Sequence, residues 1–122
     1  MANIWDLRFP DRKARKVMGD YCIVTVLYDS AAGNYISTEC VFVGRGNADQ
    51  FFDTMVDESK KKEGEIARGN ESARNGFPRN ILLYSGMVNV TGMIVEDDVL
   101  RAYACEEDHE EFEAVYGDVL EK

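Results

Sequence analysis

The ten residues Asp20–Asp29, DYCIVTVLYD, limit what this chain can become more than any other segment. β-Branched and aromatic side chains dominate them, and both alternating sets are apolar: Cys22, Val24, Val26 and Tyr28 on one face, Tyr21, Ile23 and Leu27 on the other. A strand apolar on both faces is central in its sheet and covered on each side, or it lies at an oligomer interface. Residues 31–34 read as a loop. Tyr35–Val43 then returns as a more one-sided strand, with Ile36, Cys40 and Phe42 opposed by Ser37 and Glu39. Together the two runs predict a β-hairpin.

The rest of the chain repeats that theme. Gly44, Arg45 and Gly46 break the strand pattern, and Asn47 with Gln50 three residues on has the form of a capping box. Phe51, Phe52, Met55 and Val56 follow at one-turn spacing, with acids Asp49, Asp53 and Asp57 early and Lys60, Lys61 and Lys62 late, as the helix dipole favours. Residues 63–79 are polar and contain Gly64, Gly69, Gly76 and Pro78, which predicts a long loop with room for a helical turn around Glu65 to Arg68, and a candidate binding element. A second hairpin is expected from residues 81–84, a tight Ser85-Gly86 turn and residues 87–95, with Gly92 marking a bulge or close approach. Glu96 to Asp98 suggest another helix start, although residues 100–105 also suit a short strand. Asp108 and Glu111 form a second capping box, after which Phe112, Val115, Tyr116 and Val119 lie along one helical face. The expected fold is therefore α+β: an antiparallel sheet of about four strands from two hairpins, helices packed on one face, in ββα-ββα order. At 122 residues the chain reads as a single domain, 1–122, able to bury a core without staples.

Charge is distributed unevenly. Residues 1–19 carry a net +3, residues 20–95 a net −3 and residues 96–122 a net −9, so the whole excess of −9 matches that of the acidic C-terminal helical segment. The basic N-terminal arm, with Arg8, Arg12, Lys13, Arg15 and Lys16, is expected to include a short helix over residues 11–18. Five bases on so acidic a chain form a weak footprint for nucleic acid, and direct nucleic-acid or anionic-membrane binding is not expected. No apolar run reaches the length of a membrane span, no secretory leader pattern is legible, and three cysteines without a Cys-x-x-Cys spacing suit a reducing compartment. The expected location is cytoplasmic. The Asn89-Val90-Thr91 triplet matches a glycosylation acceptor, but in a cytosolic strand it carries no meaning.

No catalytic, metal or nucleotide constellation is legible. His109 is the only histidine and sits in a run of carboxylates; Glu106 and His109 have the i, i+3 spacing of some metal ligands, but a di-metal bundle needs that motif twice. No metal, no cofactor and no enzymatic activity are expected. Gly44-Arg45-Gly46-Asn47 enters a helix directly after a strand, where an anion would bind, but lacks both the dinucleotide glycine pattern and the phosphate-loop lysine. Arg45, Arg68, Arg74 and Arg79 are the candidate anion-binding residues.

Glu106, Glu107, Asp108, Glu110, Glu111 and Glu113 are the candidate partner-binding residues, because acids above an apolar helical stripe can dock on a basic surface. The function these features favour is a non-enzymatic acidic module of the inhibitor, immunity or phage anti-defence kind. Its partner would be a basic protein surface such as that of a nucleic-acid enzyme. Two alternatives stand beside it. One is an oligomer that sequesters a nucleotide-like anion; the other is a structural or virion accessory subunit. A homo-oligomer is compatible with each.

Overall fold

The computed structural model of the protein describes residues 20–30, 32–88 and 94–120. The basic segment 1–19 with its expected helix, the Asn89-Val90-Thr91 triplet and Gly92 lie outside the described residues.

Strands β1 (Asp20–Asp29), β2 (Tyr35–Val43), β3 (Pro78–Val88) and β4 (Ile94–Ala104) form one antiparallel sheet in the order β2-β1-β3-β4. Helix α1 (Gly46–Ala67) follows the first hairpin and helix α2 (His109–Tyr116) follows the second, so the fold is α+β in ββα-ββα order. The two-sided apolar strand is central, as its pattern predicts. Ile23 and Val24 point to opposite faces and both are fully buried.

The main core lies between α1 and the sheet: Cys22, Val24 and Val26 of β1, Ile81 and Leu83 of β3 and Tyr103 of β4 receive Phe52, Met55 and Val56. The two helices do not share a face, contrary to expectation. Strand alternation places Ala102 and Ala104 on the side away from Tyr103, and there they pack with Leu82, Phe112, Tyr116, Val119 and Leu120. Two alanines leave the depth that the aromatic stripe of α2 needs, so the second helix settles on the opposite layer.

Three segments differ from their local reading, and in each a tertiary contact overrides propensity. Ser85 and Gly86 form no turn. Gly86 pairs with Tyr21 on one side and Asp97 on the other, so β3 runs through it to Val88, and β4 begins at Ile94. Residues 96–98 start no helix; they belong to β4, where they pair with Met87, Gly86 and Ser85 of β3. The expected loop 63–79 is mostly ordered backbone: α1 continues to Ala67, a 3-10 turn spans Glu71–Arg74, and β3 begins at Pro78. The stop of α1 is Gly69, at φ +96°, with Gly69 N–H donating to the Ile66 carbonyl (3.0 Å) and Asn70 N–H to that of Glu65 (3.0 Å). This is a Schellman closure.

Neither capping box forms. Helix α1 begins at Gly46 with Arg45 at the cap, so Asn47 falls inside the first turn, and no side chain caps the helix. Asp108 does occupy the cap of α2, but its carboxylate is held elsewhere.

Candidate functional site

At the end of the sheet where β1 finishes and β3 begins, Arg79 is 8% exposed, an unusual depth for a guanidinium. Pro78 and the bulge opposite Leu27 and Tyr28 set its position as β3 starts. Carboxylates surround it. Nε donates to Asp108 Oδ2 (2.9 Å) and Nη2 to Asp108 Oδ1 (2.7 Å), a bidentate fork. Nη1 donates to both oxygens of Asp29 (3.0 and 3.3 Å), and Nη2 also reaches Glu107 Oε2 (3.1 Å). The Tyr35 ring lies 5.5 Å from the guanidinium carbon. Turned to its hydrogen-bonding orientation, the Asn80 amide adds a bond to Asp108 Oδ2 (3.2 Å).

Arg74 extends the network outward. Its Nε donates to Glu71 (2.8 Å) and its Nη2 to Glu107 (3.2 Å). Two arginines thus meet four carboxylates: Asp29, Glu71, Glu107 and Asp108. The electrostatic consequences follow the geometry. Hydrogen bonds from Arg79 hold the Asp108 carboxyl below the usual aspartate range, and the same bonds raise Arg79 against the opposing effect of burial. Hydrogen bonding to Glu71 raises Arg74. The Cys105 thiol, buried beside this cluster, is pushed up to about 11 chiefly by desolvation.

The structure therefore brings the two sets of sequence-predicted residues together. Arg74 and Arg79, candidates for an anion, are engaged by Glu107 and Asp108, candidates for a basic partner. Arg45 sits at the start of α1 paired with its own helix through Asp49 (3.2 Å), and Arg68 is exposed at the far end of that helix, so the four arginines form no common site.

The other acids remain at the surface. Glu106, Glu110, Glu111 and Glu113 are exposed, and Glu113 faces His109 Nδ1 at 3.4 Å. Among the described residues no three His, Cys, Asp or Glu side chains are grouped to hold a metal. Two adjoining hollows frame this surface. One, of about 590 Å³, is lined by Glu106, His109, Glu110, Glu113 and Ala114. The other, of about 480 Å³, is lined by Glu63, Ile66, Ala67, Glu71, Arg74, Glu106 and Glu107. Glu106 belongs to both, and its N–H donates to Glu63 Oε2 (2.7 Å), which ties the end of α1 to the turn before α2.

No family model, curated protein or solved structure matches this chain.

Glu63 and Glu71 were not among the residues singled out from sequence. Their only sequence signal is membership of a polar stretch; Glu63 gains its place from a helix that continues to Ala67, and Glu71 from the 3-10 turn Glu71–Arg74 that follows it. Among the described residues no helix is long and apolar enough to cross a membrane.

Proposed function

We propose that the protein is a non-enzymatic binding module that places its acidic surface on a basic surface of another protein, in the manner of an inhibitor, immunity or anti-defence protein covering a nucleic-acid-binding site. The observation that carries this reading is the pair of hollows sharing Glu106: six carboxylates, Glu63, Glu71, Glu106, Glu107, Glu110 and Glu113, line them against one arginine and one histidine. Such a surface attracts lysine and arginine side chains at long range and repels the polyanion that the partner would otherwise hold. Asp108 has a different part in this reading. It faces Arg79 and braces the turn that presents Glu106 and Glu107.

The anion-sequestering alternative gains less support, because carboxylates already occupy Arg74 and Arg79. The test is binding of the immobilised full chain to host proteins across a salt series, beside the triple variant Glu106→Gln/Glu110→Gln/Glu113→Gln. Basic proteins held at low salt should be released as salt rises and bind the triple variant about tenfold or more weakly. Retention that ignores both changes would refute the proposal.

A further inference from the structure

A further hollow, of about 270 Å³, adjoins the Arg79 network and touches neither Glu106 nor Glu113. Its lining joins Leu27 and Asn80, paired across β1 and β3, to the rings of Tyr35, at the start of β2, and Phe112, on α2. Drug-sized ligands occupy roughly 300–1,000 Å³, so a hollow of this volume suits one long side chain. Tyr35 is 62% exposed, whereas Phe112 is fixed: it packs with Ala102, Ala104 and Leu120, and its ring centroid lies 5.5 Å from that of Tyr116.

Arg79, Asp108 and Glu111 supply the charge. Arg79 does not make the hollow a seat for an anion. Its Nε, Nη1 and Nη2 all donate to carboxylates already, and Asp29, Glu107 and Asp108 outnumber its single charge. Glu111 is differently placed. It stands exposed in the first turn of α2, and among the described residues its carboxylate enters no ion pair. A carboxylate without a cation, beside two aromatic rings, is an environment for a positive group.

We propose that this hollow seats an arginine side chain of a basic protein partner, its guanidinium packed against Tyr35 and Phe112 and hydrogen-bonded to Glu111. The inference rests on the acidic-docking reading and deepens it, by naming the residue through which the partner is anchored. Arginine fits better than lysine. A guanidinium can lay its face on a ring while its N–H groups point in plane at a carboxylate, whereas an ammonium is a compact, strongly hydrated charge. The chain's own Arg79 already combines these contacts, with carboxylates at its N–H groups and the Tyr35 ring 5.5 Å from its carbon. Arginine is also the side chain that nucleic-acid-binding surfaces offer to phosphate. The two flanks of α2 then divide the work: Glu106, Glu110 and Glu113 steer the encounter, and Tyr35 with Glu111 holds the anchor.

NMR titration of the full chain with Nα-acetyl-arginine amide, which carries one positive charge and no carboxylate, tests the seat. The corresponding lysine and citrulline amides serve as the charged and neutral comparisons. The arginine probe should shift the Tyr35 and Phe112 ring resonances, with a dissociation constant in the millimolar range, and give intermolecular NOEs to the Tyr35 ring. The lysine probe should bind severalfold more weakly and the citrulline probe not measurably. Tyr35→Ala and Glu111→Gln should each weaken the arginine probe about threefold or more, and Glu106→Gln/Glu110→Gln/Glu113→Gln should leave it within about twofold. Rings unmoved by arginine, rings moved equally by citrulline or lysine, or binding indifferent to Tyr35→Ala and Glu111→Gln would overturn the proposal. If Tyr35→Ala does not fold, Glu111→Gln, at an exposed position, decides alone. Salt-sensitive capture of basic host proteins beside unmoved rings would sink the arginine seat and leave acidic docking standing; moved rings without such capture would do the reverse.

Discussion

Arg79 is where a single residue does most to join distant parts of the chain. Its guanidinium ties Asp29 at the end of β1 to Glu107 and Asp108 before α2, across 50 and 28 to 29 positions of sequence. Replacing it by alanine leaves the capping Asp108 without its cation and the buried Asp29 with Arg74 alone, at 4.0 Å, and should destabilise the fold by about 3–5 kcal/mol in urea denaturation. Asp108 adds a pH signature. Its carboxyl ionises more readily in the folded protein than in the unfolded chain, so its contribution is present above the unfolded value near pH 4 and is lost as pH falls through the depressed folded value. Acid titration of stability should show that loss in the native chain and a smaller one in Asp108→Asn; equal acid limbs would contradict the pairing. Cys105, held near 11 by burial, should resist alkylation in the native protein at mildly alkaline pH while the half-buried Cys40 reacts, as peptide mapping would reveal.

At the scale of elements, the parts legible in the sequence were those whose pattern is local. The β1–β2 hairpin and the body of α1 follow from alternation and one-turn spacing, and Phe52, fully buried with Arg101 stacked 4.2 Å above its ring, anchors the latter. Phe52→Ala should cost about 3–5 kcal/mol. The turn into α1 depends on Gly44 at φ +85°, where an added Cβ meets nothing within 4 Å; the expected cost of Gly44→Ala, roughly 1 kcal/mol, is therefore backbone strain and not a clash. What was not legible was decided by pairing. Ser85-Gly86 reads as a turn until Tyr21 and Asp97 flank Gly86, and residues 96–98 read as a helix start until β3 is beside them. Both capping boxes failed because a cap is a competition: Asp108 had a stronger partner in Arg79, and Asn47 lay past the true start of α1.

For the molecule as a whole, β1 announced that both faces of the sheet would be covered, yet nothing in its pattern said that the two helices would cover one each. That division places the Glu106–Asp108 turn, which leads into α2, beside the C-terminal end of α1, where Glu63 and Glu71 join the acids of the tail. Four of the six carboxylates of the candidate surface, Glu106, Glu107, Glu110 and Glu113, were therefore visible as a charge run, and Glu63 and Glu71 joined them only through packing. The most direct measurement is the salt dependence of partner binding by the native chain and by Glu106→Gln/Glu110→Gln/Glu113→Gln, with Asp108→Asn as a control for the fold. A steep loss of affinity with salt, flattened in the triple variant while its folding is preserved, is the predicted result. Affinity that is independent of salt and unchanged in the triple variant would contradict the acidic surface as the binding face.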